Sequence, residues 1–189
     1  MGGGGSAQVR HFELTEPLRP FFTSIYRFEA VTAPGESVID CLFPEWAVLR
    51  FASGQTVNAA AGSAPLLPTW PFIVTGPASR ALRFDVQSCV VWGVGLQPAG
   101  WARFIDTPAA DFANSLFDGA THAAFRAFAP LGDIVNAPDL PAEAVAARIT
   151  AHLALLPPGP DAKRVTKVRA VHAALRDPAI ANVYQIADQ

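Results

Sequence analysis

Between residues 22 and 98, hydrophobic and polar residues alternate in short runs that are separated by proline and glycine. An alternation with a period of two is typical of strands with one buried face. The runs cover residues 24–29, 38–42, 46–51, 55–58, 71–75, 81–86 and 90–96. Short strands at this spacing favour an antiparallel barrel or sandwich over β-α-β units.

After Pro98 the hydrophobic period lengthens to that of a helix. We expect short helices over 109–117 and 122–129, the second ending at Pro130 or Gly132, and a longer helix over 141–156. The apolar stripe of the longer helix consists of Val145, Ile149, Leu153 and Leu156. If this stripe exceeds what the β-domain covers, it predicts a surface for pairing two copies of the chain.

Three prolines in Pro157-Pro158-Gly159-Pro160 end that helix and favour an extended spacer over 157–162. A second amphipathic helix is expected over 163–175, and a further one begins near Ile180. The domain prediction is therefore a β-domain with C-terminal helices over 7–156, the spacer, and a separate unit that starts at residue 163.

Charge divides the chain at the same place. Residues 163–189 carry five basic and two acidic side chains, net +3, whereas residues 1–162 carry nine basic and fourteen acidic ones, net −5. A basic segment behind an acidic body suggests the beginning of a nucleic-acid-binding element. The side chains expected to contact a DNA backbone are Lys163, Arg164 and Lys167.

The composition, 51% hydrophobic and 16% charged, is that of a folded globular protein and excludes a disordered one. No apolar run reaches the length of a membrane span, and the glycine-rich residues 1–6 are expected to be a linker or disordered start rather than a signal peptide. Cys41 and Cys89 form no disulfide or metal-binding pattern and are expected to be buried thiols. We expect a cytoplasmic protein with no membrane partner.

Known patterns of catalysis and metal binding are weak in this sequence. The four histidines, His11, His122, His152 and His172, fall outside the predicted strands and form no ligand pair, so neither a metal nor another cofactor is expected. No nucleophile elbow is present, and Gly93-Val94-Gly95 lacks the third glycine of a dinucleotide loop and is followed by Pro98 where a helix should open. No catalytic residue is predicted, and the chain is expected not to be an enzyme.

Aromatic residues and arginines give the best indication of a binding site. Small-molecule pockets are lined by apolar rings with a few convergent polar groups, and an arginine there would hold an anion. The predicted ligand-binding residues are Trp46, Arg50, Trp70, Trp92 and Trp101. For any single aromatic residue in a strand, an ordinary place in the core is the commoner explanation.

Two segments make the chain similar to a known family. Residues 93–104 (GVGLQPAGWARF) and 168–178 (VRAVHAALRDP), the latter followed by Ile180 and Ala181, resemble AraC-family transcriptional regulators. The resemblance implies a cupin-like β-barrel or sandwich that binds a small effector, helices that form a homodimer, and a helix-turn-helix domain that begins in 163–189 and is incomplete here. DNA would then be bound by the full-length parent protein and not by this chain alone.

Two alternatives remain open. One is a metal-independent cupin-like enzyme that acts on a small apolar or aromatic acid, which would require a cluster of titratable groups with displaced pKa values in the pocket. The other is a binding protein without a role at DNA, in which case the basic tail has no special function.

Overall fold

The computed structural model describes residues 5–55, 57–159 and 162–179, and within them the chain forms two antiparallel sheets and several helices. The strands are β1 Ser6–Phe12, β2 Phe22–Val31, β3 Val38–Leu42, β4 Val48–Gly54, β5 Val57–Ala61, β6 Leu67–Pro68, β7 Phe72–Thr75, β8 Leu82–Val86, β9 Cys89–Leu96 and β10 Leu116–Asp118. The helices are α1 Pro98–Phe104, α2 Leu131–Val135, α3 Ala142–Leu155 and α4 Ala162–Ala174, with 3₁₀ turns at Ala109–Phe112 and Ala123–Phe128. The predicted helix near Ile180 and residues 1–4 of the predicted linker lie outside the described residues.

The larger sheet has the strand order β1-β2-β9-β4-β7-β10, and the smaller one has the order β3-β8-β5-β6. This arrangement confirms the predicted α+β class and the antiparallel double sheet, which is consistent with a cupin or jelly-roll type of fold. The two sheets pack by one face each, and the helices cover the other face of the larger sheet.

The strand register shows how the sequence alternation produces these two faces. One row of the larger sheet runs across Phe12, Ile25, Val94, Leu49, Val74 and Phe117. The neighbouring row runs across His11, Tyr26, Gly93, Arg50, Ile73 and Asp118. Because successive side chains point to opposite faces of a strand, the first row lies on the helix side and the second on the side of the smaller sheet.

The helix side contains the main hydrophobic core. Side chains of the first row pack there against fully buried residues of the helical region: Phe125, Phe128, Leu131, Ile149 and Leu153. The apolar stripe of α3 is part of this core, with Val145, Ile149, Leu153 and Leu156 all buried within the chain. The reason for predicting a pairing surface on this helix is therefore wrong, because the apolar side chains of its stripe are already covered within the chain.

Several predicted boundaries are corrected. The expectation that no helix opens at Pro98 is wrong, because Pro98 is the first residue of α1, where its missing N–H is harmless and its fixed φ suits the helix. The predicted helix over 109–117 is a 3₁₀ turn followed by strand β10, because Asn114 has a φ of 56° and breaks the helical path. The second short helix is a 3₁₀ turn that ends before Pro130, as predicted, and α2, which was not predicted, follows it.

The N-terminal prediction is also wrong in part, because Ser6 already belongs to strand β1. Cys41 is exposed, whereas Cys89 is buried as predicted, and burial raises the pKa of the Cys89 thiol. Among the described residues no helix has the length and apolarity needed to cross a membrane.

Candidate functional site

A cavity of about 360 Å³ lies between the two sheets. Most of its wall is aliphatic or aromatic, with Phe28, Ile73, Leu82 and Phe84 among the lining side chains. Polar side chains gather at one end, namely His11, Ser24, Tyr26, Glu45 and Arg50. Volume and lining are those of a site for a small organic molecule with an apolar body and a polar head.

Glycine at the centre of the larger sheet leaves room for the cavity and its tyrosine. Gly93 on β9 lies between Tyr26 on β2 and Arg50 on β4 in the strand register. A Cβ at Gly93 would lie 2.1 Å from Cζ of Tyr26, so the phenol ring occupies the space that any other residue would fill. The predicted strand motif Gly93-Val94-Gly95 thus serves packing at the cavity.

Arg50 organises the polar end of the cavity. Its side chain is almost completely buried, and its Nε donates to the hydroxyl of Tyr26 at 2.8 Å. One terminal nitrogen donates to the hydroxyl of Thr75, and the other forms an ion pair with the carboxylate of Glu45. The guanidinium is therefore held in one orientation by three different side chains.

Burial and charge act in opposite directions at this cluster. Burial raises the pKa of Tyr26, although the adjacent Arg50 charge lowers it, and the net direction is upward. Burial would lower the pKa of Arg50, but Tyr26, Glu45 and their hydrogen bonds outweigh burial and raise it. At neutral pH Tyr26 is thus a neutral phenol, and the charge that balances Arg50 is that of Glu45.

The Tyr26 hydroxyl is suited to contact a ligand. Because it accepts the Nε–H of Arg50, its own hydrogen points elsewhere and is available to an acceptor in the cavity. A ligand head with oxygen acceptors would thus meet a phenol donor beside a fixed cation.

A second apolar site, of about 410 Å³, lies between the β-domain, α1 and α4. We call it the helix groove. Three of the residues predicted from sequence meet here: Trp46, Trp101 and Arg164. Trp101 is buried and its Nε1 donates to the carbonyl of Thr107 at 2.7 Å, whereas Trp46 packs edge-on against His172 of α4 with ring centroids 5.5 Å apart.

Helix α4 is docked on the body in this structure. Arg164 donates to the carbonyl of Ile105 and lies 3.5 Å from a carboxylate oxygen of Asp106. The N–H of Gly159 donates to the carbonyl of Arg103 at 2.6 Å, at the end of α1. Arg164, predicted to contact DNA, therefore contacts the β-domain here, whereas Lys163 and Lys167 are exposed.

The remaining predicted ligand residues lie elsewhere. Trp92 is in the helix-side core, stacked on Phe12 with centroids 5.2 Å apart, so it does not face the cavity. Trp70 is 40% exposed and lines a shallow surface depression with Ala52 and Pro71. Of the five predicted residues only Arg50 lines the cavity between the sheets.

Sequence reasoning missed Tyr26, Glu45, Thr75 and His11 as residues of the site. It also placed every histidine outside the strands, which is wrong for His11 in β1. The alternation Ser24, Tyr26, Phe28 was recognised as a strand, and its polar face was the available signal. Among residues 5–55, 57–159 and 162–179, no three His, Cys, Asp or Glu side chains are grouped so that they could hold a metal ion.

Comparison with known proteins adds a structural likeness only. No protein-family model matches the chain, and no curated protein matches it in sequence. A match among solved structures is the ribosomal oxygenase YcfD from Escherichia coli, in complex with cobalt and succinic acid. The identity is 9% and the TM-score 0.32, over 82% of this chain and 43% of the oxygenase, so the chain spans less than half the length of that protein.

This neighbour is an enzyme, which stands against the expectation that the chain is not one, but a likeness with a TM-score of 0.32 assigns no activity to this chain. The cluster of titratable groups that the enzymatic alternative required is also present in the cavity, at Tyr26 and Arg50. A role in catalysis therefore stays among the candidates.

Proposed function

We propose that the chain is the ligand-sensing part of an AraC-like transcriptional regulator, and that its effector binds in the cavity between the two sheets. The observation that carries the proposal is the combination in one cavity of an apolar wall and a fixed polar end at Arg50 and Tyr26. The apolar wall would contribute affinity, and the polar end would fix the orientation of the ligand, as in other small-molecule sites.

The position of α4 supports the regulatory half of the proposal. This basic helix, which the resemblance places at the start of a DNA-binding domain, rests in the helix groove through Arg164 and His172. A ligand that changed the docking of α4 would change the position of the DNA-binding domain that the proposal assigns to this helix and the residues after it. DNA binding belongs, in this proposal, to the longer parent protein.

Pairing of two copies is part of the proposal as well, but through a surface other than the apolar stripe of α3, which is buried within the chain. Within the described residues, β1 is an edge strand of the larger sheet and exposes Val9, and an edge of this kind can add a strand from a second copy. Light scattering on a size-exclusion column tests this: a dimer at micromolar concentration is expected, and a monomer at high concentration would remove pairing from the proposal.

The regulatory role is tested on the coding region that contains this chain. We expect the reading frame to continue past Gln189 into two helix-turn-helix motifs. Its complete product should bind DNA in a gel-shift experiment with an affinity that a cavity ligand changes. A stop codon directly after Gln189, or DNA binding unaffected by any compound that occupies the cavity, would contradict the proposal.

A second candidate uses the same cavity for metal-independent catalysis on a small apolar or aromatic acid. The observation in its favour is the buried Tyr26 hydroxyl with a raised pKa, hydrogen-bonded to a fixed cation. Mass spectrometry after incubation with a panel of aromatic acids and esters would reveal turnover. Product that Tyr26→Phe abolishes would favour the enzyme, whereas unchanged compounds would favour the sensor.

A further inference from the structure

The loop between β3 and β4 connects the cavity with the helix groove through two adjacent residues. Glu45 extends into the cavity and binds Arg50, and the next residue, Trp46, lines the helix groove and contacts His172. A surface depression shares Glu45 with the cavity and Trp46 with the helix groove. The ion pair in the cavity and the contact with α4 therefore depend on neighbouring residues of one short loop.

The two partners of the Arg50–Glu45 ion pair are buried to different degrees. The Arg50 side chain is 7% exposed and the Glu45 side chain 33%. Arg50 is also held by Tyr26 and Thr75, whereas among the described residues the Glu45 side chain makes no hydrogen bond or ion pair other than that to Arg50. Of the two, Glu45 is the partner that can leave, because its side chain is the more exposed and is held by fewer partners.

Departure of Glu45 alone is strongly unfavourable, since it would leave a buried cation without a counter-charge. A neutral ligand cannot supply that charge. An anionic head group can, and it would find the guanidinium already oriented and the Tyr26 hydroxyl available as a second donor. The rest of the cavity wall suits an apolar body.

We propose that the cavity takes an amphipathic carboxylate whose head group replaces Glu45 on Arg50, and that the released Glu45 carries Trp46 out of its contact with α4. This inference rests on the proposed sensing function and names the ligand class and the first step of the signal. The exchange is one carboxylate for another, so the charge beside Arg50 is unchanged, one ion pair replaces another, and no covalent bond is made or broken.

Two pairs of probes test the ligand class. Octanoate and 1-octanol share an aliphatic body, 2-naphthoate and 2-naphthol share an aromatic one, and within each pair only the acid carries a carboxylate. Isothermal titration should show that at least one acid binds at least about tenfold more tightly than its alcohol, which corresponds to about 1.4 kcal/mol. Glu45→Gln removes the competing charge and should tighten acid binding by a further factor of about ten.

Glu29→Gln is the matched control, because Glu29 forms another partly buried ion pair, with Arg27, that does not line the cavity. The Glu29→Gln variant should bind the acids with the same affinity as the wild-type protein. Alcohols that bind as tightly as the acids, or a Glu45→Gln variant without tighter acid binding, would overturn the exchange and leave a neutral-ligand sensor intact. If neither acids nor alcohols bind, both the exchange and the sensing function fail.

The coupling to α4 has its own measurement. Hydrogen–deuterium exchange of peptides covering α4 should accelerate when the tighter acid is added to the wild-type protein, because the helix loses its contact with Trp46. In Trp46→Ala the acid should bind more tightly than in the wild type, because it no longer has to break the contact with α4, and exchange in α4 should be fast with or without the acid. Acid binding that leaves α4 exchange unchanged in the wild type would overturn the transmission through Trp46.

Discussion

The two faces of the larger sheet are built from the same strands but pack in opposite ways. On the helix side, the row through Ile25, Leu49 and Val74 is fully buried against large helical side chains. On the other side, the next row contains Tyr26, Gly93 and Arg50 and borders a cavity. A single strand can thus supply a closed core with one set of alternate residues and a binding site with the other, so stability and function are separable in this fold.

The largest expected difference between the faces is in the free energy of unfolding. Leu49→Ala on the helix side should lose about 2–5 kcal/mol, because a fully buried leucine leaves a cavity in a packed core. Ile73→Ala on the cavity side of the same sheet should lose clearly less, because Ile73 already borders empty space and has fewer neighbouring atoms whose contacts can be lost. Urea unfolding of both variants measures the difference, and equal losses would mean that the two faces are packed alike.

The glycine at the cavity floor gives the next effect. Gly93→Ala places a methyl group within the ring of Tyr26 and should destabilise the protein by about 1–3 kcal/mol and displace the tyrosine. Gly132→Ala in α2 is the control, because its added Cβ would meet only Phe51, at 3.9 Å, and should be neutral or slightly stabilising. If Gly93→Ala is as stable as the wild type, the fold does not depend on the observed position of the Tyr26 ring.

Removal of the phenol hydroxyl should have a smaller effect on stability. Tyr26→Phe leaves the buried Nε–H of Arg50 without its acceptor and should lose about 1.5 kcal/mol. Ser53→Ala is a suitable control, since the Ser53 hydroxyl is exposed and its hydrogen bond is 3.5 Å long. An unchanged midpoint of thermal unfolding in Tyr26→Phe would mean that water replaces the hydroxyl and that the polar end is not preorganised.

The smallest predicted effect concerns pH at the docked helix. Burial, with a contribution from Arg176, lowers the pKa of His172 below its ordinary value of 6.5. His172 therefore takes up a proton at a higher pH in the undocked helix than in the docked one. Docking is most favourable above the ordinary pKa of His172 and weakens as the pH falls from that value through the lowered pKa of the docked state. Protection of α4 from hydrogen exchange, corrected for intrinsic rates, should decrease slightly between about pH 7.5 and about pH 5.5, and His172→Gln should remove the dependence.

Strand alternation was enough to predict the double sheet, because a residue's face depends only on local periodicity. Local periodicity did not predict the elements whose structure depends on contacts with residues far away in the sequence. Strand β1 is exposed along nearly its whole length and does not show the alternation of a half-buried strand, so it is not among the predicted runs. Strand β10 falls within a predicted helix because Phe112 and Leu116 also satisfy helical spacing. Pro98 argues against a helix after β9 only if its suitability for the first position of a helix is ignored.

The site was predictable only in part for the same reason. Arg50 was predicted as an anion-binding residue, and the structure places it in the cavity. Its partners Tyr26 and Thr75 come from other strands, 24 and 25 residues away, so no spacing rule connects them. The tryptophans were selected for chemical type, and that type does not distinguish the packed core around Trp92 from the exposed surface at Trp70.

The central claim is that the cavity between the sheets, and not the helix groove, receives the ligand. A crystal structure of the protein grown with 2-naphthoate tests it most directly. We predict density for the naphthyl ring between the sheets, with its carboxylate on Arg50 and Tyr26 and with Glu45 turned to solvent. Density in the helix groove between Trp46 and Val168, with the cavity empty and Glu45 still bound to Arg50, would contradict the account.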